Sequence, residues 1–142
     1  MRYNKILKIC VIVSSVFFVI CFILSQTLAD KLSKGLFWGS TLLLSGCIAG
    51  DIFYWNKQGL DVDKKNSMII KRGFDDSTTL LVVYHCLCLV LVFLFNQSDN
   101  AVLNNNYVII GTFIMTIIFE FFSYCILYGA KRDTAKLLNN MK

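Results

Sequence analysis

The stretch Tyr107 to Tyr128, YVIIGTFIMTIIFEFFSYCILY, decides the fold. It runs 22 residues and carries one charge, Glu120, near its middle. About 20 apolar residues at a rise of roughly 1.5 Å cross a hydrocarbon core about 30 Å thick. Length and composition therefore predict a membrane span. A carboxylate at mid-depth costs about 3 kcal/mol on insertion scales and needs a partner, a water-filled site or a proton.

Three further apolar runs lie upstream: Ile6–Leu24, Leu36–Tyr54 and Thr79–Phe95. Together the four account for a chain of 142 residues that is 56% hydrophobic, 14% aromatic and free of proline. Soluble domains hold about 45–50% apolar residues even with glycine counted. The prediction is an all-α integral membrane protein, an antiparallel bundle of four transmembrane helices. It forms one domain over residues 1–142, with spans near 6–25, 36–55, 79–96 and 107–129. Gln26 to Gly35 is expected as the first outer loop, 56–78 as a cytoplasmic loop and 130–142 as a short cytoplasmic tail. No remaining polar segment is long enough to fold a core of its own. Met1–Lys8 leads into an apolar run longer than the roughly 7–15 residues of a secretory signal, so an uncleaved first span is expected.

The net charge is +5, and its distribution sets a topology. On a four-span path twelve Lys and Arg residues fall on one side and two, Lys31 and Lys34, on the other. The positive-inside rule then puts both termini and the second loop in the cytoplasm, with the chain in the plasma membrane. Lys64, Lys65, Lys71, Arg72, Lys131 and Arg132 read as membrane-surface cations facing anionic lipid. No basic stripe interleaves with exposed aromatics, so nucleic acid is not an expected partner. The richness in Asn, Lys, Ile and Phe fits an AT-rich, low-GC bacterial coding sequence.

Local signals divide the loops further. Ser67 to Phe74 alternates basic and apolar residues and is expected to lie along the membrane surface. Asp75, Asp76 and Ser77 are N-cap candidates for the third span, and Gly129 is a C-cap for the fourth. Asp51, one turn from the cytoplasmic end of the second span, is expected to reach the interface or to pair with Lys57.

Thr112, Thr116, Glu120 and Tyr124 recur every fourth residue and share one face of the fourth helix. Facing lipid they would be costly, so they are expected to face the interior or a partner. Two readings of Glu120 follow. In the plainer one it is protonated, or bonded to His85, Tyr84 or a Ser/Thr hydroxyl, and locks helix positions. In the other, Glu120, His85 and Asp51 form a descending proton or cation path as gate, relay and mouth. In the second span Ser45, Gly46, Ala49 and Gly50 form overlapping small-xxx-small pairs, a spacing that lets helices approach closely. Packing within the chain's own bundle is the expectation, with oligomerisation the alternative.

The six cysteines all fall in spans and none forms a CxxC pair. Cys86 and Cys88 point about 200° apart on a helix, so they do not share an ion. No metal site and no cofactor are expected. One histidine, with no GxSxG, HExxH or glycine-rich phosphate loop, gives no catalytic residue, and the chain is read as no enzyme. The functional expectation is a non-enzymatic accessory, immunity or regulatory subunit that binds another membrane protein, or its own copy, within the lipid bilayer. The alternative is an oligomeric proton or cation channel, or a small transporter, built on Glu120.

Overall fold

Without proline, nothing in an apolar run breaks the i to i−4 backbone ladder, and the helices outrun the apolar stretches that seed them. A computed structural model describes the backbone of residues 2–28, 30–59, 64–95 and 105–140, and the side chains of 4–28, 30–57, 71–91 and 105–140. It contains α1 (Arg2–Thr27), α2 (Lys31–Gly59), α3 (Lys64–Phe95) and α4 (Asn106–Asn140). All four are long and apolar enough to cross a membrane.

Several expected boundaries move. Much of the segment expected as a loop, 56–78, is helix: α2 continues to Gly59 and α3 starts at Lys64. Ser67–Phe74 is part of α3, and Asp75, Asp76 and Ser77 lie inside that helix, not at its cap. Gly129 likewise sits within α4, which runs on to Asn140. The reason is tertiary. The early turns of α3 and the late turns of α4 pack on each other and bury Phe74, Ala130 and Thr134. A Cβ on Gly73 would stand 3.1 Å from the Cβ of Ala130. Packing of this kind stabilises helix beyond what propensity supports.

The first connection is also shorter than expected, since α1 ends at Thr27 and α2 begins at Lys31. Asp30 makes this tight reversal workable as the N-cap of α2, its Oδ1 accepting the Ser33 N–H at 2.9 Å. The Ser33 hydroxyl and then its N–H hold the Asp30 carboxyl below the usual carboxylate range, and Lys34 adds a weaker pull.

Long-range pairs give the helix directions. Ser77 meets Ser123 and Tyr84 meets Thr116, so α3 and α4 run antiparallel. Helices α1 and α2 follow each other across a short reversal and pack together, Phe22 and Phe18 on Phe37, so they run antiparallel as well. Ser45 meets Glu120 and Asp51 meets Lys131, which makes α2 and α4 parallel. Two hairpins, α1–α2 and α3–α4, therefore lean together through α2. Among the described residues α1 does not touch α3 and only grazes α4.

The residue distribution is that of an inverted globule. Outward faces carry Ile12, Val16, Leu42, Phe53, Ile117 and Phe121, all exposed. The interior holds Asp51, Glu120, Lys131 and a set of Ser and Thr hydroxyls beside Phe18, Phe37, Phe74 and Leu127.

Candidate functional site

The polar interior is a column of side-chain pairs, each tying α4 to a neighbouring helix. At one end Lys131 Nζ donates to Asp51 Oδ2 at 2.6 Å, with Asp51 fully buried and Lys131 5% exposed. The same ammonium lies 5.6 Å from the Trp55 ring centroid and 6.0 Å from that of Tyr124. Lys131 is therefore not the membrane-surface cation its position suggested. It sits on the α4 face that the helix turns toward α2, and the ion pair with Asp51 compensates its burial. Asp51, in turn, pairs with Lys131 and not with Lys57, which is exposed.

About two turns further in along α4, Ser77 and Ser123 form a reciprocal clasp. Ser77 Oγ donates to the Ser123 carbonyl at 2.8 Å, and Ser123 Oγ to the Ser77 carbonyl at 2.9 Å. Deeper still, Thr116 Oγ1 donates to the Thr112 carbonyl at 2.7 Å. That leaves the Tyr84 hydroxyl as donor in its 2.6 Å contact with Thr116. Thr112, Thr116 and Glu120 are buried and Tyr124 is half-buried, so the stripe on α4 faces inward.

Glu120 stands at the centre of this column, 3% exposed. Ser45 Oγ donates to its Oε1, while Oε2 is buried with no hydrogen-bond partner. The partner is thus a serine of the small-residue stretch on α2, not His85 or Tyr84. Glu120 lines a groove of about 380 Å³ walled by α1, α2 and α4, in which Ser15, Val16, Ile48, Thr116, Ile117 and Tyr124 also stand.

His85 lies elsewhere. It lines an open groove of about 470 Å³ between α2 and α3, with Gly46, Ala49, Thr78 and Cys86. Its Nδ1 is 2.7 Å from the Leu81 carbonyl, which can only accept, so Nδ1 carries the proton. Among the described residues no hydrogen bond or ion pair links Glu120, His85 and Asp51 to one another. Nor do three His, Cys, Asp or Glu side chains gather anywhere among those residues as a metal site would need.

The small residues of α2 also take a different place from the one expected. Ser45 is buried, but Gly46, Ala49 and Gly50 are exposed. A Cβ on Gly46 or Gly50 would meet nothing within 4 Å, so neither glycine packs inside the bundle. Gly35 and Gly39 behave in the same way. The four share one face, two GxxxG steps offset by eleven residues, and the Gly35–Gly39 step was legible in the sequence. Lys71, Arg72 and Arg132 are exposed, and Arg132 lies 3.5 Å from Asp133. The side chains of Lys64 and Lys65 lie outside the described residues.

No protein family, curated protein or solved structure matches this chain. The chain itself offers a column of polar pairs, two buried carboxylate oxygens without a hydrogen-bond partner (Glu120 Oε2 and Asp51 Oδ1), and an unpacked glycine seam.

Proposed function

We propose that the chain is an integral membrane protein that acts as a non-enzymatic accessory, immunity or regulatory subunit. Both termini lie in the cytoplasm, and α2 docks against a transmembrane helix of another membrane protein. The observation that carries this is the seam Gly35, Gly39, Gly46 and Gly50, exposed and open to close approach along α2. It covers about 22 Å of helix axis, most of a hydrocarbon core of roughly 30 Å. A ligand of that length in lipid is a helix. Glycine seams bring helices close enough for dispersion contacts, and the groove at Gly46, Ala49 and His85 gives its side chains a place to pack.

Charge favours a different protein over a second copy. Exposed Lys31 and Lys57 flank the two ends of the seam. In a parallel pair of identical α2 helices each lysine would approach its twin. A partner with acidic residues at both interfaces complements them instead. The polar column supports a scaffold more than a conduit, because its bonds run from helix to helix and, among the described residues, none joins Glu120, His85 and Asp51 into a chain.

A photo-crosslinking residue at Ala49 tests this in the native membrane. The expected result is an adduct with one transmembrane protein, lost at least tenfold when Gly46→Leu closes the seam. The same residue at Phe121, exposed on α4, should give no such adduct. An adduct with a second copy of the chain replaces the heterotypic reading with self-association. Equal adducts from Ala49 and Phe121, or none from Ala49, overturn the docking face.

A further inference from the structure

The groove beside Glu120 is not used by a helix-docking role, and it has the features of a ligand site. Helices α1 and α4 are pinned at both ends and part between them. At one end Phe22 stacks on Phe113, ring centroids 3.7 Å apart and planes 7° from parallel. At the other, Lys8 Nζ lies 5.8 Å from the Tyr128 ring centroid. Between these pins lies the cavity of about 380 Å³, within the roughly 300–1,000 Å³ range of small-molecule sites. Its α1 wall runs from Val11 to Val19, about 12 Å of helix axis. Its mouth opens between Ile12, Val16, Ile117 and Phe121, all exposed on the apolar outer surface.

The walls are apolar, with a single ionisable carboxyl in them. Glu120 lines the groove at 3% exposure; Ser45 holds only its Oε1, and Oε2 is buried with no partner. A buried carboxylate oxygen without a donor is costly and takes up a donor where one is offered. An acyl chain of the surrounding lipid fills apolar space but brings no N–H. A compact apolar molecule with one ammonium group brings both, and the Tyr124 and Phe121 rings at the wall add cation–π attraction.

We infer that this groove binds a lipophilic primary or secondary ammonium ion, entering from the bilayer between α1 and α4. The ammonium donates to Glu120 Oε2, and the apolar body lies along Val16 and Ile117. The Glu120–Ser45 bond occupies Oε1 and leaves Oε2 as the oxygen free to accept. This inference is independent of the α2 docking face, which lies on the other side of that helix.

The probe is 1-pyrenemethylammonium, titrated into phosphatidylcholine nanodiscs holding the full chain and read against empty nanodiscs. Wild type is expected to show one saturable site per chain. Glu120→Gln should weaken it at least tenfold, and the neutral isostere 1-pyrenemethanol should bind wild type at least tenfold less. Val16→Phe occupies the groove without touching the carboxyl and should abolish the site. It also decides the matter if Glu120→Gln fails to fold. No saturable binding by wild type overturns the inference. So does equal binding of the ammonium and the alcohol, which would make the groove a general apolar chain pocket. Full binding by folded Val16→Phe overturns it as well.

Discussion

Helices α1 and α4 are both apolar enough to cross a membrane, yet they join the bundle by different means. Helix α4 is stitched to α2 and α3 by polar pairs at Lys131, Ser123, Glu120 and Thr116. On α1 the hydroxyls turn back on its own backbone, Ser14 and Ser15 to Val11 and Ser25 to Phe22. What holds α1 is a set of rings, Phe18 and Phe22 against Phe37 and Phe113. Apolar contact between helices gains little over contact with lipid, so it brings helices together without fixing their rotation. Directional bonds do fix it. The α3–α4 hairpin should therefore be the rigid half of the molecule, and α1 the element that moves aside at the groove.

The largest way to break the contrast is at the buried ion pair. Asp51→Ala leaves Lys131 buried without a counter-charge and should cost about 3–5 kcal/mol. Replacing both, Asp51→Leu with Lys131→Met, should recover most of that loss. Unfolding in SDS-containing mixed micelles measures both variants. A cost for Asp51→Ala below about 1 kcal/mol would mean the column does not hold the bundle.

A smaller effect sharpens the comparison on the α1 side. Phe22→Ala removes the closest ring stack and should cost about 1 kcal/mol. Cys21 is 1% exposed and reports the α1 interface. With the other five cysteines replaced, its labelling by a membrane-permeant maleimide should rise about fivefold in Phe22→Ala. In a companion background that keeps Cys88 alone, half-buried on α3, the same change should leave labelling unaltered. Equal rises at both positions would show one cooperative bundle with no loose helix.

The smallest effect is at the reversal joining α1 to α2. The Asp30 carboxyl is held below its ordinary range by Ser33, so its cap is complete at pH values above that range. It is lost as pH falls through the lowered value, because the protonated acid no longer attracts the Ser33 N–H. Amide exchange at Ser33 and Lys34 should speed up over that acidic window, and Asp30→Ala should be fast and flat across it. Exchange that is independent of pH in wild type, after correction for intrinsic rates, would remove the cap from the account.

Legibility followed range along the chain. Apolar length showed all four helices, and the four-residue recurrence on α4 gave an inward polar face before any contact was known. What was misread depended on neighbours. Local signals at Ser77 and Gly129 resemble caps, but the packing of Phe74 and Ala130 carries both helices through them. Lys131 looked like one more interfacial lysine until α2 supplied Asp51 across 80 residues. Small residues mark closeness without saying to what: Ser45 turned inward while Gly46 and Gly50 turned out.

Hydropathy is a sum over adjacent residues, and the ladder of a helix closes within four. The order of the chain therefore suffices to set the number of helices, their apolar character and the gathering of cations at alternate ends. Which acid meets which base, and which oxygen of Glu120 is left open, depends on how each helix is rotated about its axis. That rotation is fixed by contacts between residues 32 to 80 positions apart. No local pattern encodes it, since it is settled only when all the helices pack at once.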